Sequence, residues 1–100
     1  MTTPLTQTKI AKALEGLPGW SREGEGLVKT FTFESFPAAL SFMVRVGCEA
    51  EAMNHHPEWT NVYNRVAVRL NTHEAGGKIT AKDVELAGRM EVVARLGVGA

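Results

Sequence analysis

One hundred residues, 44% hydrophobic and 22% charged, describe one soluble globular domain over residues 1–100, not a disordered chain, a membrane-embedded one or a pair of domains. A chain of this size removes only about 60–70% of its unfolded surface from water, so it supports one core, and a larger active site needs neighbouring subunits. Eleven Lys and Arg balance eleven Asp and Glu, which leaves no basic footprint of the kind nucleic acids demand.

Ile10, Leu14 and Leu17 recur at i, i+4 and i+7 behind Thr6 and Thr8, and Gly16 with Pro18 stops the pattern; a first helix is predicted over residues 6–16. Residues 20–22 and 27–33 flank Glu23-Gly24-Glu25-Gly26 and read as a β-hairpin, with Leu27, Phe31 and Phe33 on one face. Ser35 caps a second helix that tolerates Pro37 in its first turn, and Leu40, Met43, Val44, Gly47 and Ala50 trace the stripe expected to be core. Pro57 disfavours the α conformation at His56, so this helix should end near His55.

Alternation returns from Thr60 to Leu70 and predicts one long strand, with Val62, Val66, Val68 and Leu70 on one side and Tyr63, Arg65 and Arg69 on the other. Gly76-Gly77 turns the chain, and Thr80 precedes a last helix carrying Leu86, Met90 and Val93, ended near Gly97. Helices that each need one apolar surface, in this order with antiparallel strands, give an α+β fold: a sheet with helices stacked on one face.

The glycine fingerprints of nucleotide cofactors are absent. The single Cys48 builds neither an internal disulfide nor a zinc site and reads as a small hydrophobe in the second helix, consistent with a reducing, intracellular compartment. No stretch reads as an export signal or a membrane span, so a cytoplasmic location is expected.

All the histidines, His55, His56 and His73, fall near the end of the second helix and just past the long strand. Imidazole is the side chain that serves as both acid and base near neutral pH without special tuning, so this set suits a reaction that takes one proton and gives another. Glu51 stands one turn before His55, where a carboxylate holds an imidazole. Thr80-x-x-Asp83 is a capping-box pattern, which gives Asp83 a structural role beside any catalytic one. No compact metal-ligand spacing such as H-E-x-x-H is present, so a metal site is not expected.

Taken together, Glu51-x-x-x-His55-His56-Pro57, then Tyr63, His73 and Asp83, resembles the signature of the pterin-4a-carbinolamine dehydratases. The resemblance implies a four-stranded antiparallel sheet with three helices packed on one face, assembled as a homodimer or homotetramer. It further implies dehydration of 4a-hydroxytetrahydropterin to quinonoid dihydropterin, a hydro-lyase reaction that recycles the tetrahydrobiopterin-type cofactor of aromatic amino acid hydroxylases. The pterin is then the substrate, and no cofactor is implied. Carried over by position, His55 and His56 form the acid–base pair, His73 acts on the pterin from the strand side, Glu51 supports His55, and Asp83 supports the third histidine.

Trp59 and Trp20 offer flat faces to a bicyclic pterin, and Pro57 joins them as an expected substrate contact. Tyr63 is expected to pack, and Lys82 to face water. A competing reading is a protein-interaction module, since members of the family also act as dimerisation partners of a transcription regulator; the Leu40–Gly47 stripe is then its surface. A metal hydrolase is the third reading; full activity after chelation and no metal in the purified protein would exclude it.

Overall fold

The computed structural model describes residues 3–96. Along the chain run α1 (Gln7–Glu15), β1 (Ser21–Glu23), β2 (Gly26–Thr32), α2 (Phe36–Met53), β3 (Glu58–Val62), β4 (Arg65–Leu70), a short 3-10 turn (His73–Ala75) and α3 (Ala81–Arg95). The strands form one antiparallel sheet in the order β1-β2-β4-β3. Period-two alternation sends Leu27 and Phe31 of β2, and Val66, Val68 and Leu70 of β4, to one face. The helices cover that face with Ile10 of α1, with Ala39, Phe42, Val46 and Ala50 of α2, and with Leu86, Ala87, Met90 and Val93 of α3. The expected α+β architecture, a four-stranded antiparallel sheet with three helices on one side, is the observed one. The expected stop at Gly97 lies outside the described residues.

The long strand expected from Thr60 to Leu70 is instead a hairpin, β3 and β4, in which Val62 pairs with Arg65 around Tyr63 and Asn64. Tyr63 takes the left-handed conformation, φ 51°. Asn61 Nδ2 donates to the carbonyls of Tyr63 (3.1 Å) and Arg65 (2.9 Å), and Asn64 Nδ2 donates to Phe33 O (2.9 Å), so two asparagines stitch the turn. With neither Gly nor Pro in it, the turn hid inside the alternation. Val62 and Tyr63, expected to pack, are both exposed.

Helix α2 is rotated from the expected stripe. Ala38, Ala39, Phe42, Val46 and Ala50 are buried, whereas Leu40 and Val44 are exposed and Cys48 lies in line with them. Both stripes fit a 3.6-residue period, and packing chose the one that combines small alanines with a large ring. The alanines let α2 lie close to the sheet, and Phe42 stacks at 4.7 Å and 4.9 Å from the rings of Phe31 and Phe33. The same helix ends at Met53, earlier than Pro57 alone implies, because Asn54 turns left-handed (φ 53°, ψ 43°) and its N–H caps the carbonyls of Ala50 and Glu51.

The segment between α1 and β1 is pinned to α3. Trp20 Nε1 donates to Glu91 Oε2 (2.9 Å), and Lys29 Nζ of β2 donates to the same oxygen (2.6 Å) and to Pro18 O (2.7 Å). The Lys29 ammonium also stands 4.6 Å from the Phe31 ring centroid. Glu91 is buried, so removing it leaves the indole N–H without an acceptor and the Lys29 ammonium without its counter-charge. Glu91→Ala is expected to lower stability by about 2–4 kcal/mol in urea unfolding, whereas Glu85→Ala on the exposed face of α3 changes it by less than about 0.5 kcal/mol.

Candidate active site

Three stretches of chain meet at the C-terminal end of α2. Past the left-handed Asn54 the backbone leaves the helix, and His55 N–H bonds Ala50 O at 3.0 Å. Past β4 the in-and-out alternation of Val66, Val68 and Leu70 runs on to Thr72, which is fully buried. Gly76 and Gly77, at φ 74° and 79°, then reverse the chain, so that Thr72 N–H bonds Lys78 O (2.9 Å) and Thr72 lies beside Thr80. Helix α3 opens with the anticipated capping box: Thr80 Oγ1 accepts from Lys82 N–H (3.2 Å) and Asp83 Oδ2 accepts from Thr80 N–H (2.8 Å).

Asp83 is the hub. Its Oδ2 also accepts from Thr72 Oγ1 (2.8 Å), and its Oδ1 lies 2.7 Å from His55 Nε2. His55 and Asp83 are both buried, so this is a dry pair in which the carboxylate has a donor on each oxygen. His56 differs. Its Nε2 lies 2.8 Å from Glu51 Oε1, and both side chains are largely in solvent, 60% and 80% exposed. The expected partners are thus exchanged: Asp83 holds His55, not His73, and Glu51 holds His56, not His55. The left-handed Asn54 is the cause, because the i, i+4 geometry that would bring Glu51 to His55 requires the helix to continue through residue 55.

His55, His56 and His73 share one cleft of about 200 Å³, lined also by Asn54, Asn71 and Glu74. His73 is exposed on the 3-10 turn. Glu74's own backbone N–H, and after it the Lys82 ammonium at 3.2 Å, hold its carboxyl below the usual carboxylate range, which keeps a negative charge at the cleft's edge at neutral pH. Lys82, expected to face water, is therefore tied to Glu74. Among the described residues no three His, Cys, Asp or Glu side chains converge in a metal-holding arrangement.

The other expected substrate contacts lie elsewhere. Trp20 is buried, its N–H satisfied by Glu91 and its ring edge-on to Phe31, which makes it a core residue. Trp59 packs against the core from β3 and borders a larger, open depression of about 470 Å³ on the uncovered face of the sheet. That depression contains none of the histidines, which line the smaller cleft. Pro57, half-buried, does not line the cleft. Asn71, Thr72 and Glu74 escaped the sequence reading. Thr72 had a signal: a hydroxyl on the core side of an alternating strand needs a buried partner.

The profile of the family described as Pterin 4 alpha carbinolamine dehydratase matches residues 3–93. The chain belongs to this family. A protein of Opitutus terrae, provisionally named a pterin-4-alpha-carbinolamine dehydratase, is 60% identical over 97 residues, covering 97% of this chain and 100% of that protein. One of Bradyrhizobium diazoefficiens, named in the same way, is 46% identical across 99% of this chain and 100% of its own length. A crystal structure described as a transcriptional coactivator/pterin dehydratase from Brucella melitensis superposes with a TM-score of 0.88 at 37% identity, covering 92% of this chain and 99% of that one.

In this member of the dehydratase family two histidine–carboxylate contacts of nearly equal length, 2.7 Å and 2.8 Å, sit in opposite environments. Asp83→Ala is expected to cost about 2–4 kcal/mol in urea unfolding, since three donors lose their buried acceptor, whereas Glu51→Ala costs less than about 0.5 kcal/mol.

Proposed function

We propose that the chain dehydrates 4a-hydroxytetrahydropterin to quinonoid dihydropterin, with the histidines of the cleft moving the protons. The observation that carries this reading is the convergence of His55, His56 and His73 on one cleft, with His55 braced from behind by Asp83. Membership of the family and the names of its relatives support it.

The reaction is an elimination. An acid protonates the 4a-oxygen, the C4a–O bond breaks to release water, and a base takes the N5 proton as the C4a=N5 bond forms; no electrons leave the molecule. His55 spends Nε2 on Asp83, so its Nδ1 is the atom available to substrate. His56 is held by Glu51 at the mouth, and His73 faces it from the turn after β4. Two of these imidazoles supply the acid and the base, and Glu51 and Asp83 act by holding them. Neither a metal nor a bound cofactor enters the scheme, because the pterin is the substrate. After a separate two-electron reduction by a reductase, the product rejoins the tetrahydropterin pool of an aromatic amino acid hydroxylase, and the site of action is the cytoplasm. Among the described residues no helix is long and apolar enough to cross a membrane.

A second reading, a docking module for a transcription regulator, is favoured by the exposed Leu40 and Val44 on α2 and by the coactivator description of the Brucella relative. The same face suits association of the chain into homodimers or homotetramers. The two readings separate on activity. Stopped-flow dehydration of chemically generated 4a-hydroxytetrahydropterin should exceed the spontaneous rate, resist a chelator, and fall about 10²–10⁴-fold in His55→Ala or His56→Ala. Wild-type turnover no faster than the spontaneous reaction would discard the enzyme in favour of the module.

A further inference from the structure

We infer that Thr72 is a positioning residue: together with Thr80 it fixes the direction of every proton around Asp83 and so locks His55 as the Nε2–H tautomer, with Nδ1 turned to the cleft. The argument is a count of protons. Asp83 Oδ2 accepts from Thr72 Oγ1 at 2.8 Å and from Thr80 N–H at 2.8 Å, and a carboxylate has nothing to donate in return. Thr72 has one hydroxyl proton and spends it on Asp83. In the 2.6 Å contact between Thr72 Oγ1 and Thr80 Oγ1 the donor must then be Thr80. Thr80 Oγ1 in turn accepts from Lys82 N–H at 3.2 Å.

The Lys82 N–H, Thr80 and Thr72 thus form a one-way chain ending on Asp83, and the side chains of Thr80, Thr72 and Asp83 are all buried. With Oδ2 filled from two sides, Oδ1 is left to His55 Nε2 at 2.7 Å. The other neutral tautomer would press a bare Nε2 lone pair against that oxygen. Among the described residues no side-chain nitrogen or oxygen sealed from solvent lacks a partner, and His55 Nδ1 has no hydrogen-bond partner among them, so it is reached from the cleft. Without the Thr72 hydroxyl, Oδ2 loses a donor and the carboxylate is free to rotate or to carry a proton toward Nε2, and the tautomers mix.

The consequence for turnover rests on the dehydratase reading; the tautomer itself does not. Nitrogen-15 histidine spectra of the wild type are expected to show neutral His55 protonated at Nε2 and bare at Nδ1, and a wild-type His55 protonated at Nδ1 overturns the inference. Thr72→Val, which keeps the shape and deletes the hydroxyl, should show mixed tautomers and a fall in kcat of about tenfold with KM little changed, and Thr72→Ser should restore both. Should the valine variant not fold, Thr72→Ala carries the same comparison. A folded Thr72→Val protein with the wild-type tautomer and kcat makes Thr72 merely structural and overturns the inference. A wild type with the expected tautomer and no turnover overturns the dehydratase reading alone and leaves the lock in place.

Discussion

A carboxylate taken out of water destabilises whatever surrounds it unless its oxygens are filled, and Asp83 is fully buried. Its donors arrive from three separate parts of the chain: the segment after α2, the residue that continues the alternation of β4, and the first turn of α3. Meeting that requirement aligns the end of one helix with the start of another and closes the sheet against both. Helix capping and the bracing of a histidine are one arrangement here. The Thr80–Asp83 box would exist in an isolated helix, and only its surplus oxygen, Oδ1, makes it part of a site.

The left-handed Asn54 is the second determinant. By ending α2 before His55, it releases two adjacent histidines from helical geometry, in which neighbours diverge by about 100°. One turns inward to a dry carboxylate and the other outward to a wet one. Imidazoles of one chemical type thereby acquire different surroundings within consecutive residues, a useful distinction where one group must give a proton and another take it.

Much of this was legible in the sequence, and the failures share a cause. The fold class, the β1–β2 hairpin, the cap at Ser35 and the Thr80–Asp83 box are local signals, each readable from a few residues. The convergence of the histidines followed from their placement at the ends of predicted elements. What stayed hidden depended on tertiary choice. Two apolar stripes on α2 were equally periodic, and only the sheet's preference for Ala39 and Phe42 over Leu40 and Val44 decided between them. The Tyr63–Asn64 turn is held by asparagine side chains and contains neither Gly nor Pro. The exchange of carboxylates between His55 and His56 hung on one residue's φ angle. Trp20 illustrates the reverse error, an aromatic given a ligand's role when a buried glutamate already claimed its N–H.

The sheet order β1-β2-β4-β3 pairs at its centre two strands, β2 and β4, that have both α2 and β3 between them in the chain. His55, Thr72 and Asp83 lie on three different parts of the chain, and no hairpin or helix alone contains two of them in contact. The brace therefore requires the assembled fold: a partly folded chain carries the histidines but not the carboxylate that holds one of them. The population with His55 held by Asp83 is the population with its long-range strand pairing complete, which makes the cleft a sensor of the integrity of the whole chain.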